Sequence, residues 1–188
     1  YIENFLARYA ADIRGRVLEI GDAAYTRQFG QAGMVASDVL HVNVHNPAAT
    51  IVGDLTQADH IPSNTFDCFI LTQTLHLIFD VRAALQTIHR ILKPGGVVLA
   101  TFPGISQLSD DQWTENWCWS FTAAAARRMF AEYFPPAQLT LETYGNVLVT
   151  TAFLQGLAAE ELQQAELDYR DASYEFLITV RVRKSDGR

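Results

Sequence analysis

Short apolar runs alternate with amphipathic stretches along most of the chain. Val17 to Ile20, Val35 to Leu40, Thr50 to Gly53, Asp67 to Gln73 and Gly96 to Phe102 read as strands. The last two are almost wholly apolar, the mark of strands covered on both faces of a parallel sheet. Asp80 can cap a helix whose Val81, Ala84, Leu85, Ile88, Ile91 and Leu92 recur at helical spacing, and Lys93-Pro94-Gly95-Gly96 stops it. Thr122 opens another, with Ala126, Met129, Phe130, Tyr133 and Phe134 on one stripe before Pro135-Pro136. The opening YIENFLARYA is a further amphipathic helix. Alternation at Leu139, Leu141 and Thr143, and from Tyr174 to Val182, predicts two closing strands. Between them, residues 146–172 predict an apolar helix followed by a polar one. The pattern is that of an α/β sandwich with right-handed crossovers, in which ligands bind beyond the carboxyl ends of the strands. Few residues separate the second strand from the first and third, so the crossover helices there must be very short or replaced by loop.

Composition narrows this picture. With 188 residues, 49% hydrophobic, the chain suits a single domain with a sizeable core, spanning residues 1–188. Fourteen basic against 21 acidic residues give a net charge of −7, which argues against a nucleic-acid partner. No apolar stretch is long enough for a membrane span, so no membrane partner is expected. Cys68 and Cys118 form neither a disulfide framework nor a metal site, and a reducing cytoplasm is the expected location. The chain opens on Tyr1 instead of methionine, which leaves room for residues or a whole domain ahead of it.

The candidate chemistry lies at strand ends. Glu19 and Gly21 close the first strand, Asp38 the second and Asp54 the third. An acidic residue at the end of the second strand, about 20 residues past a glycine turn, is placed to accept from both ribose hydroxyls of an adenosine ligand. The other reading of Asp38 is a turn or helix-cap aspartate. His41 and His45 follow in a loop able to reach the adenine side. A structural role suits both, and no convincing further ligand accompanies them, so no metal site is expected.

These residues lie in segments that resemble the class I S-adenosylmethionine-dependent methyltransferases of the compact type 11 group. VLEIGDAAYTRQFG is similar to their first motif and SDVL to the acidic motif of the second strand. GDLTQADHIPSNTFDCFILTQTLHLI is similar to the third-to-fourth-strand segment, and RILKPGGVVLATFPG to the next helix, turn and strand. The resemblance implies a Rossmann-like, mostly parallel seven-stranded sheet with an antiparallel C-terminal strand, and S-adenosylmethionine as cofactor, leaving S-adenosylhomocysteine. By resemblance, Glu19, Gly21 and Asp22 line the methionine portion, Asp38 holds the ribose and Val39 packs on adenine. Asp54 and Leu55 read the adenine edge, and Thr72 and Gln73 offer backbone oxygens to the ammonium group. The glycine-rich turn departs from the family pattern, with Ala23 and Tyr25 where glycines are usual. Tyr25 must then point away or cover the carboxylate end of the cofactor. A dehydrogenase would need a G-x-G-x-x-G turn, which is lacking.

Methyl transfer asks chiefly for alignment. His76, just past the fourth strand, is the best-placed base for a hydroxyl acceptor. Trp113, Trp117 and Trp119 lie together in DDQWTENWCWSF beyond the fifth strand, and Trp113 and Trp117 are expected to stack on acceptor. Tyr144 and Asn146 are expected to meet it from the opposite side. The expected reaction is methylation of an oxygen, with nitrogen second, on a small polar or sugar-containing acceptor. Fusion or association with a glycosyltransferase is the partner the resemblance suggests. The rival reading is a degenerate, non-catalytic domain of the same fold serving as a scaffold.

Overall fold

The structure is a computed structural model and describes residues 1–30, 32–108 and 113–186. Seven strands form one sheet: β1 (Gly15–Ile20), β2 (Met34–His41), β3 (Ile51–Val52), β4 (Phe66–Thr72), β5 (Leu92–Pro103), β6 (Leu139–Tyr144) and β7 (Leu177–Arg183). Their order is β3-β2-β1-β4-β5-β7-β6. β7 runs antiparallel to both β5 and β6, and the other pairs are parallel, as expected from the sequence.

Two hydrophobic layers sandwich this sheet. On one face α1 (Ile2–Arg8) and α2 (Ala24–Phe29) cover Val17, Cys68, Ile70, Val97 and Leu99. On the other, α3 (Val81–Ile91) and α4 (Ala123–Ala131) pack with Leu18, Phe69, Leu71, Val98, Ala100 and Phe102. The alternation of those residues along β4 and β5 is the two-residue period of a strand covered on both faces. Asp80 caps α3 by accepting from Ala83 N–H, and Thr122 caps α4 by accepting from Ala125 N–H. At the other end of α3, Lys184 Nζ donates to the His89 and Leu92 carbonyls at 2.8 and 2.7 Å, placing a cation where the helix leaves carbonyls unpaired.

The short connections are as brief as the sequence implied. α2 has six residues, and no α-helix joins β2 to β3 or β3 to β4. Leu55, Ala58 and Ile61 of the loop before β4 fill the helix's place in the core. After β6 come α5 (Val147–Leu154) and α6 (Gln164–Asp168), the latter shorter than expected because a 3-10 turn at Ala159–Glu161 takes part of the polar stretch. Strand β2 is longer than expected: Asp38 does not close it, and pairing continues to Leu40 with β1 and to His41 with β3.

Candidate active site

The sheet order reverses between β1 and β4, since β1 leads outward to β2 while β4 leads the other way to β5. At such a reversal the flanking loops part and leave a crevice beyond the strand ends. Gly21 stands on one side of it and Gln73 on the other, directly after β1 and β4. Gly21 has φ +84°, and a Cβ built there would meet nothing within 4 Å, so the turn faces open space. Gln73 has φ +46°, a left-handed backbone uncommon without glycine, held by its N–H donating to Thr101 O at 2.7 Å. The Thr72 carbonyl already accepts from the Thr74 hydroxyl at 2.8 Å.

Glu19 does not line the crevice. Its side chain is only 2% exposed and its carboxylate accepts from Tyr25 N–H at 3.0 Å and Thr26 N–H at 2.8 Å, anchoring the first turn of α2 to β1. Burial raises its pKa, and those backbone donors partly offset the rise. Asp22 accepts from Ala24 N–H at 2.6 Å, closing the turn that leads into α2. Tyr25 points toward α1 and stacks on Phe29 at 6.2 Å, leaving the turn uncovered by its ring. Burial raises the pKa of its phenol, so the group is neutral.

Asp38 and Val39 require correction. Asp38 lies within β2, opposite Leu18, where its carboxylate pairs with Arg16 Nε at 2.7 Å and accepts from the Thr50 hydroxyl at 3.2 Å. Val39 is 4% exposed and has no face to offer a ligand. Asp54 does follow β3, on an exposed turn. The Thr56 N–H and hydroxyl both donate to the same Asp54 oxygen at 2.8 Å. Leu55 has its side chain in the core, leaving only its backbone near that turn.

A strap crosses the rim. Trp113 stands edge-on to His41 at 5.9 Å, and Trp117 lies 4.3 Å from the His76 ring. Cys118 and Trp119 N–H both donate to the His76 carbonyl at 2.9 and 3.2 Å, and Trp119 Nε1 donates to Ile78 O at 2.9 Å. β5 and β2 are three places apart in the sheet, so a chain that leaves β5 and reaches His41 spans about 14 Å across the ends of β4 and β1. The opening of the DDQW motif, within residues 109–112, lies outside the described residues.

His76 is 3% exposed, and burial pushes its pKa down to about 4. A ring so acidic in its protonated form, closed off by Trp117, is a poor base at neutral pH, and the expected proton-taking role does not suit it. Among the described residues its buried Nδ1 has no hydrogen-bond partner. Tyr144 and Asn146 are also not turned toward an acceptor. The Tyr144 hydroxyl donates to Glu142 at 2.9 Å, and Arg170 covers its ring at 3.9 Å. Asn146 caps α5 through Val149 N–H and donates to the Glu166 and Tyr169 carbonyls, so its amide is fully used in holding the insert between β6 and β7. Sequence reading missed Asn46, whose Nδ2 donates to Gly21 O at 2.7 Å and ties the β2–β3 loop to the turn.

Residues 9–100 match the family model described as a methyltransferase domain. Over that segment, just under half of the chain, the sequence is that of a methyltransferase domain. A curated relative, the ubiquinone/menaquinone biosynthesis C-methyltransferase UbiE of Haemophilus ducreyi, is 37% identical over a match covering 57% of this chain and 52% of that protein. The chain thus spans about half the length of that relative. A methyltransferase structure from Archaeoglobus fulgidus superposes with TM-score 0.65 at 12% identity, covering 97% of this chain and 93% of that one. The [4+2]-cyclase SpnF superposes with TM-score 0.63 at 17% identity, covering 99% and 81%. Likeness at such identity concerns the fold, and one fold here carries names from two reaction classes.

The cofactor of this methyltransferase class is S-adenosylmethionine, and the open Gly21 turn is the point at which the crevice fits it. The cofactor supplies, when bound, a methyl group on a cationic sulfur. The domain's own residues hold the two sides of that crevice: Glu19 anchors the start of α2 just after the Gly21 turn, and Gln73 N–H is tied to Thr101 O.

Proposed function

We propose that the chain is an S-adenosylmethionine-dependent methyltransferase acting on an oxygen of a small acceptor. The observation that carries this reading is the open, positive-φ turn at Gly21, facing Gln73 across the β1–β4 crevice. A sugar-containing acceptor, a glycosyltransferase as fused or associated partner and a nitrogen acceptor as second choice rest on the sequence resemblance. Alignment of acceptor and methyl group is the main source of acceleration, on the order of 7–11 kcal/mol in favourable cases. Isothermal titration with S-adenosylhomocysteine tests the base of the proposal. Micromolar binding is expected, and no binding at high micromolar concentration would favour the scaffold reading instead.

A second reading of the acceptor is favoured by a cleft of about 270 Å³ between α1 and the β6–β7 insert, lined by Tyr1, Val149, Phe153, Leu157, Leu167 and Phe176. Its apolar, aromatic lining suits a ring system, and the Haemophilus ducreyi relative is named for C-methylation in quinone biosynthesis. Incubation with labelled S-adenosylmethionine and paired glycoside and hydroxyaryl acceptors separates the two. A base-stable methyl ether on the glycoside supports the first reading, and a carbon-bound methyl on the aromatic ring supports the second.

A further inference from the structure

We infer that His41, and not an acidic residue, holds the ribose of the adenosyl ligand, with Val42 against its adenine face. The inference rests on the cofactor reading above and adds a binding residue to it. Gly21 N–H donates to Leu40 O at 3.1 Å, continuing a parallel ladder in which Glu19 faces Val39 and Ile20 faces Leu40. His41 is therefore the residue of β2 that stands beside the Gly21 turn.

Asp38 is three residues back along the strand, about 10 Å below the rim at a rise near 3.3 Å per residue. That is beyond the reach of an aspartate side chain, and Arg16 and Thr50 already engage both of its oxygens. The exposures agree, since Val42 is 53% exposed and Val39 only 4%. Only the pair at the rim offers a polar group followed by an open apolar face.

The histidine brings its own chemistry. Asn43 N–H donates to His41 Nδ1 at 3.0 Å, while Asn43 O lies at 3.3 Å from the same nitrogen. The shorter contact makes Nδ1 an acceptor and leaves the proton on Nε2, which then donates to a ribose hydroxyl oxygen. Trp113, edge-on to the same ring, limits its rotation. A carboxylate accepts from both ribose hydroxyls at once, whereas a single N–H donates to one. The site therefore depends on one hydroxyl and tolerates loss of the other.

Titration calorimetry with S-adenosylhomocysteine on four forms of the chain tests this. His41→Ala should weaken binding about tenfold and Asp38→Asn should change it by less than about twofold. His41→Glu should bind at least as well as the parent, which shows that the loop still folds. Of the 2′-deoxy and 3′-deoxy analogues, only one should lose affinity. An unchanged affinity in His41→Ala, or a loss in Asp38→Asn equal to or greater than that in His41→Ala, overturns the inference while the parent's binding keeps the methyltransferase reading intact. Failure of the parent to bind overturns both.

Discussion

The strand framework before Gly104 and the cover that follows it meet the same crevice by opposite means. In the framework, polar side chains turn inward to backbone: Glu19 to the start of α2, Asp80 to the start of α3 and Asn46 to Gly21. In the cover, ring faces meet other rings, Trp117 on His76 and Trp119 on Phe79 at 5.8 Å. Buried hydrogen bonds to backbone have one satisfying geometry, while ring contacts tolerate sliding and separation. The framework thus holds a turn in place through polar side chains, while the strap is held by ring contacts and by the amide and indole hydrogen bonds of Cys118 and Trp119 to the His76 and Ile78 carbonyls.

The two cysteines give the sharpest contrast between these regions. Cys68 is buried in β4, where burial raises its thiol pKa, and Cys118 is exposed in the strap. Alkylation of the native chain by iodoacetamide should label Cys118 faster than Cys68 by about a thousandfold, because Cys68 reacts only after opening of the core. Comparable rates would mean that the framework opens as readily as its cover.

Removing the Glu19 carboxylate should have the next largest effect. Glu19→Ala strands two N–H groups and should cost about 3 kcal/mol, or roughly 6–12 °C in Tm. Thermal unfolding followed by circular dichroism measures it, and a loss below ~1 kcal/mol would place the anchoring of α2 elsewhere.

The junction of the two regions is sensitive to pH. An unfolded histidine takes its proton near pH 6.5, while buried His76 refuses it until about pH 4. The unfolded chain binds the extra proton in that window, so the stability His76 contributes is present above pH 6.5 and is lost as the pH falls to 4. After allowance for partial solvation this amounts to about 2 kcal/mol. Urea unfolding at several pH values should show this slope in the parent and a flatter one in His76→Gln.

The smallest effect is expected in the insert. Arg170 covers the Tyr144 ring and lies 3.6 Å from Glu142, which Arg8 also engages at 2.7 Å. Because these groups are partly solvated and share one carboxylate, Arg170→Ala should cost no more than about 1 kcal/mol. A larger loss in urea unfolding would show that the insert is bound as tightly as the framework.

The sheet and both capped helices were legible in the sequence because their signals are local: apolar runs, Asp80, Thr122 and the glycines after Lys93. The end of β2 was not. Asp38 reads as the close of the strand until Arg16 on the neighbouring strand is seen to pair with the carboxylate, and that partner is 22 positions away. The continued alternation at Val39 and His41 was the available signal that the strand ran on. The tryptophan cluster stood out in the sequence, but the rings it meets, His41 and His76, depend on a chain return across three strand spacings. Tyr144 and Asn146 lie where the rim was expected, yet distant backbone and side-chain partners decide how their polar atoms are used.

One carbonyl beneath the strap has a kinetic consequence. The His76 oxygen accepts from two successive amides, those of Cys118 and Trp119, so both hydrogens are released by the same displacement of the segment. Their exchange with deuterium should therefore occur as a correlated pair, at a rate set by detachment of the strap and separate from global unfolding. Where product leaves by that route the opening rate caps turnover, and at high pH, where exchange outpaces reclosing, these two hydrogens report that rate before any acceptor is known.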